Sequence, residues 1–106
     1  MNTKSKVAEI LPKEVSEKVR QGKAQSIIDV REHEEVAQGR IPGAYHIPLG
    51  ELENRLHEID KDKEHFMVCQ SGNRSGMAAE FLQDKGYKVK NMVGGMLNWE
   101  DEVEKP

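Results

Sequence analysis

Apolar residues fall in short runs between charged stretches, and the runs alternate between strand-like and helix-like spacing. Residues 7–10 read as a short edge strand. Leu11-Pro12-Lys13-Glu14 places a proline at a helix start, Val15 and Val19 lie one turn apart, and Gly22 is the stop. Ser26-Ile27-Ile28-Asp29-Val30 is a β-branched run between polar flanks, the mark of a buried strand. Residues 31–44 read as a loop with one helical turn at 34–38, closed by Gly39, and Ala44-Tyr45-His46-Ile47 as another strand. Leu49, Leu52, Leu56 and Ile59 then recur at spacings of three, four and three, which predicts an amphipathic helix. Asp60-Lys61-Asp62-Lys63-Glu64 is a solvated connector.

Phe66-Met67-Val68 is the most apolar strand, and a polar loop and a helix beginning near Asn73 follow it. Met77, Ala78, Phe81 and Leu82 form that helix's apolar face, and Gly86 ends it. Residues 87–93 read as a strand, Gly94-Gly95 as a turn, and 96–103 as a last helix carrying Leu97 and Trp99, with a frayed tail at 104–106. Strands alternating with helices predict an α/β fold in three layers: a mainly parallel five-stranded sheet with helices on both faces. Ligands bind beyond the carboxyl ends of such strands. Residues 29–31, Cys69 and Gly94-Gly95 all lie at such ends, so three loops are expected to converge.

The 106 residues make one domain, residues 1–106, with a core at about 7–103. Sixteen Lys and Arg against nineteen Asp and Glu give a net charge of −3. No basic concentration points to nucleic acid, and no apolar segment approaches membrane-spanning length. The residues after Met1-Asn2-Thr3-Lys4-Ser5-Lys6 do not form the apolar run of a secretory signal. One cysteine excludes an internal disulfide and fits a reducing compartment, so a cytoplasmic protein is expected. His33, His46, His57 and His65 show no metal-ligand spacing, and neither a metal site nor a cofactor is expected.

Cys69-Gln70-Ser71-Gly72-Asn73-Arg74-Ser75 carries the candidate chemistry. A free cysteine with a pKa of about 8.5 is mostly thiol at neutral pH. Unpaired N–H groups at a helix start and a nearby guanidinium both favour the anion. Lowering the pKa by about two units would make thiolate the major form, a stabilisation of roughly 2.7 kcal/mol. Gly72 lets the backbone pass close to a bound group, and the fork of Arg74 suits an oxyanion. A lone cysteine at a strand end also fits simple packing. The Gly-x-Arg-Ser continuation into a helix is what favours a nucleophile. Asp29 and Arg31, two residues apart at a strand end, suit a supporting role that ties loops together by charge-assisted hydrogen bonds, with Glu34 as a further member.

The Cys69 loop resembles the active-site loop of single-domain rhodaneses, the sulfurtransferases, whose pattern is Cys-x-x-Gly-x-Arg. Asp29-Val30-Arg31, Gly39-Arg40-Ile41-Pro42-Gly43-Ala44 and Gly94-Gly95-Met96-x-x-Trp99 extend the resemblance from about residue 10 to 99. Arg40 departs from it, standing where the common pattern has histidine. Tyrosine phosphatases and the rhodanese-like cell-cycle phosphatases have one more residue between cysteine and arginine, and tyrosine phosphatases carry histidine where Val68 stands. Both differences favour sulfur over phosphate.

The resemblance implies transfer of sulfane sulfur through a Cys69 persulfide. The donor would be thiosulfate or a low-molecular-weight persulfide, and the acceptor cyanide or a thiol, including one on a protein. Arg74 would orient the donor's anionic oxygens, and the N–H groups of Gln70, Ser71, Gly72, Asn73 and Ser75 would hold the persulfide. The rival readings are phosphate or arsenate chemistry on the same fold and a non-catalytic rhodanese-like interaction module.

Overall fold

The computed structural model describes residues 7–106; Met1 to Lys6, on which the reading of the amino terminus rested, lie outside the described residues. β1 (Glu9–Ile10) leads into α1 (Pro12–Arg20), then β2 (Ile27–Asp29), α2 (His33–Ala37) and β3 (Tyr45–His46). Two 3-10 segments, Leu49–Glu51 and Glu53–Glu58, precede β4 (Glu64–Val68), α3 (Asn73–Asp84), β5 (Lys88–Met92) and a last 3-10 turn, Gly95–Asn98. The five strands form one parallel sheet in the order β1-β5-β4-β2-β3, the three-layer α/β arrangement the alternation predicts.

Successive strand residues point to opposite faces, and this sorts the core into two clusters. Phe66 and Val68 of β4 pack with Ile27, Val15 of α1 and Met92. Met67 and Cys69 face the other way, onto Ile28 and onto Ala78, Ala79 and Leu82 of α3. Each fully buried side chain of this size contributes about 1.5–3 kcal/mol, which makes β4 the centre of the fold. The register sets Asp29 beside Val68, and Val30 N–H donates to the Val68 carbonyl at 2.9 Å. Arg31 and Gln70 therefore leave the sheet as neighbours.

Four expected elements differ. The stripe from Leu49 to Ile59 is two 3-10 segments joined by a kink at Arg55 (φ −120°, ψ 20°). Two of its three spacings are three, the repeat of the tighter helix, and Arg55 bonds both Glu51 and Glu58 across the kink. Helix 96–103 is a single turn, because Trp99 is extended (φ −79°, ψ 125°) and its indole N–H donates to the Glu102 carbonyl.

The tail is held rather than frayed. Arg40 and Glu104 exchange backbone hydrogen bonds at 2.9 and 2.8 Å, and Arg40 Nε reaches the Glu104 carboxylate. The arginine that departs from the family pattern thus fastens the carboxyl end. On α3 the buried face is Ser75, Ala78, Ala79 and Leu82, while Met77 is exposed. The face is rotated so that Ser75, a polar residue, points inward.

Candidate active site

Cys69 follows β4 by one residue and keeps its alternation, so its side chain turns beneath α3 and is fully buried. The loop then reverses at Gly72 (φ 101°), the residue that caps α3. That left-handed turn aims the Gly72 N–H at Cys69 Sγ, 3.0 Å away. A side chain at Gly72 would meet the Gly94 nitrogen at 3.1 Å, so the space as well as the φ angle calls for glycine. In the first turn of α3, the Ser75 hydroxyl lies 3.3 Å from Sγ. Burial pushes the thiol pKa up, but the Ser75 hydroxyl and the N–H groups of Ser75, Gly72 and Ser71 outweigh it, and the net direction is down.

The Ser75 hydroxyl has one proton and two acceptors. Asn91 Oδ1 lies 2.6 Å from Ser75 Oγ, and Asn91 Nδ2 donates to the Gly72 carbonyl at 3.1 Å. The second bond fixes the amide so that its oxygen faces Ser75. Sequence reasoning missed Asn91. A signal was available, since Val89 and Asn91 share one face of β5 and a polar residue at a buried position calls for a partner.

Gly94-Gly95 forms the floor of the loop. Met96 N–H donates to the Cys69 carbonyl at 2.8 Å and Leu97 N–H to the Gln70 carbonyl at 3.0 Å. A Cβ at Gly95 (φ 60°) would stand 2.4 Å from the Cys69 carbonyl oxygen. Ser71 and Asn73 are exposed, and the Asn73 N–H reaches the Ser71 hydroxyl at 3.4 Å.

The carboxyl end of β2 supplies the third loop. Buried Asp29 accepts from the Arg31 backbone N–H, from Nε and from Nη2, the last at 2.8 Å. The guanidinium continues to the carbonyls of Gly39 (2.8 Å) and Glu35 (3.4 Å) and to Gln70 Oε1 (3.4 Å). These two residues join β2, α2 and the Cys69 loop. The acidic member of this group is Glu35, not Glu34, which is exposed. The helical turn starts at His33, one residue earlier than expected, and so Glu35 is the residue whose side chain folds back to the Glu32 N–H.

Arg74 is tied down. Nη1 and Nη2 meet the two oxygens of Glu35 at 2.7 and 2.8 Å, a bidentate pair about one-third exposed on each side. The guanidinium also senses the Cys69 charge, though its first partner is the carboxylate. The Arg74 hydrogen bond, set against burial, holds the Glu35 carboxyl at about 2. Of the two groups expected to favour the sulfur anion, the N–H groups at the helix start are in place, joined by the Ser75 hydroxyl, while the guanidinium is engaged first with Glu35.

The family model described as "Rhodanese-like domain" matches residues 11–102. "Putative sulfurtransferase YtwF" of Bacillus subtilis (strain 168) is 41% identical, over 92% of this chain and 94% of that protein. "Putative sulfur carrier protein YrkF" of the same organism is 42% identical over 94% of this chain, which spans 55% of YrkF. Among solved structures, the "Rhodanese-like Domain Protein from Staphylococcus aureus" superposes with a TM-score of 0.88 at 35% identity, covering 94% of this chain and 99% of that one.

Proposed function

Because the chain belongs to the rhodanese-like domain family, we propose that it is a sulfurtransferase that carries sulfane sulfur as a persulfide on Cys69. One observation carries the reading: the chain's one cysteine sits with the Gly72 N–H directed at its sulfur and the Ser75 hydroxyl 3.3 Å from it. The names of YtwF and YrkF, as sulfurtransferase and sulfur carrier, point to the same chemistry.

The Cys69 thiolate attacks the outer sulfur of the donor. With thiosulfate the donor's S–S bond breaks, sulfite leaves with its bonding pair, and the new Cys69 S–S bond retains one negative charge. With a persulfide the donor's thiolate leaves and takes up the proton. The N–H groups of residues 70–75 hold the resulting anion through dipoles already in place. Two of the five guanidinium N–H groups of Arg74 point to Glu35, and those remaining can meet a donor oxygen or the departing group. Cys69 is buried at rest, and Ser71 and Asn73 are the exposed residues of the loop that a donor would meet first.

An acceptor thiol, or cyanide in an assay, attacks the outer sulfur and restores Cys69. With no second cysteine in the chain, the sulfur leaves to another molecule. Among the described residues no helix is long and apolar enough to cross a membrane, and a reducing cytoplasm would keep the thiolate available.

Intact-protein mass spectrometry tests the reading. Incubation with thiosulfate or glutathione persulfide should add one sulfur atom, cyanide should discharge it, and Cys69→Ser should not acquire it. No gain with either donor would favour the non-catalytic interaction module.

A further inference from the structure

The Cys69 loop contains one cationic side chain, Arg74, and the fold supplies a partner for it from a different element. Glu35 lies in the first turn of α2, where the Glu32 N–H donates to its Oε1 at 2.9 Å. That bond fixes the carboxylate before Arg74 reaches it, and Arg74 then closes on both oxygens. α2 in turn is fastened from below by Arg31, which bonds the Glu35 carbonyl and the side chain of Gln70. Glu32 adds a further negative charge within electrostatic reach of Arg74. A bidentate carboxylate fixed by the start of its own helix leaves the guanidinium geometrically available through its remaining N–H groups, but with its charge balanced.

We infer that Glu35 is a specificity-determining residue: by balancing the charge of Arg74 beside Cys69 it disfavours a small dianion such as thiosulfate and favours sulfane-sulfur donors of lower charge, low-molecular-weight or protein persulfides. The inference rests on the sulfurtransferase reading and narrows its donor class. The chemistry at sulfur is the same for every donor: one S–S bond forms to Cys69, one breaks, and the leaving group departs with the electron pair. Only the charge brought to the loop differs. Thiosulfate brings two negative charges and releases sulfite; methanethiosulfonate brings one and releases methanesulfinate. An alkyl persulfide in its protonated form brings none and releases a thiol.

The test compares wild type with Glu35→Gln, which keeps the shape and the capping oxygen and removes the charge. Persulfide formation is followed by rapid-quench mass spectrometry with thiosulfate, methanethiosulfonate and a neutral alkyl persulfide. The ratio of the thiosulfate rate constant to the neutral-donor rate constant should rise by about tenfold, the effect of one unbalanced charge at a partly exposed site, with methanethiosulfonate in between. Equal changes for all three donors, or a ratio that falls, would overturn the inference.

A wild-type measurement stands beside it in case the variant folds poorly. The thiosulfate rate constant should be flat or rise as ionic strength goes from about 0.01 to about 0.15 M, because no net positive charge awaits the dianion. A severalfold fall would show an attractive cationic mouth and refute the balancing role. Failure of wild type to take sulfur from any of the three donors would instead remove the sulfurtransferase reading, and the inference with it.

Discussion

Replacing Ser75 by alanine isolates the hydroxyl's share of the thiolate's stabilisation. A hydrogen bond to a charged acceptor contributes about 1.5–3 kcal/mol. Here the contact is long, 3.3 Å, and Asn91 competes for the same proton at 2.6 Å, so the lower end applies. About 1.4 kcal/mol corresponds to one pKa unit. The midpoint of the pH profile for alkylation of Cys69 by iodoacetamide should therefore rise by about one unit in Ser75→Ala, with a rate about tenfold lower well below the midpoint. Ser75→Thr keeps the hydroxyl and should stay near wild type.

The substitution also leaves Asn91 Oδ1 without its partner, costing about 1–3 kcal/mol of stability at any pH. The pH dependence separates the two effects. A thiol whose folded pKa is lowered contributes stability above its unfolded value of about 8.5, and this is lost as pH falls through the folded value. Alanine should thus destabilise more at about pH 9 than at about pH 6. A lower melting temperature with an unmoved alkylation midpoint would refute the argument and leave the sulfur anion to the amides alone.

Two further perturbations probe the supports of the loop. Gly95→Ala adds a methyl 2.4 Å from the Cys69 carbonyl oxygen at φ 60°; left-handed strain and overpacking together should cost at least about 3 kcal/mol and lower the melting temperature by about 10 °C or more. Calorimetry showing a change of only a degree or two would mean that the floor yields freely. The Glu35–Arg74 pair should stabilise the fold above the usual carboxylate pKa of about 4.3 and lose that contribution as pH falls toward about 2. Screening at this exposure leaves about 1 kcal/mol, so denaturant titrations of wild type and Glu35→Gln should converge as pH drops through that window, and a constant difference would contradict it.

The sheet was legible because its central strands, β2 and β4, carry short apolar runs, and because Ile27-Ile28 and Phe66-Met67-Val68 alternate between two buried faces. Apolar spacing alone was a poorer guide where turns tighten. Leu49, Leu52, Leu56 and Ile59 fit an α-helical stripe and a pair of 3-10 turns almost equally, and only the kink at Arg55 distinguishes them. The carboxyl end was misread for a related reason. Its acidic residues look like a solvated tail until their partners are known, and Ser16, Arg20 and Arg40 are 60 or more positions away in sequence.

The candidate site divides along the same line. Cys69, Gly72 and Ser75 belong to one turn of chain, so their spacing already implies that a thiol, an amide and a hydroxyl can meet. Asn91 and Glu35 enter from β5 and α2, and what places them is register: Met67 opposite Asn91, and Asp29 opposite Val68. Local spacing thus announces the candidate nucleophile, whereas the groups around it depend on strand pairing. This division has a chemical consequence. On the proposed reading the loop stabilises a sulfur anion with its own amides and the Ser75 hydroxyl, while the charge that an incoming donor meets is set by Glu35, outside the loop. Two chains with the same Cys-to-Ser segment could therefore share the persulfide and differ in the donor they accept. The difference would lie in the first turn of α2, where neither the cysteine nor the arginine reveals it.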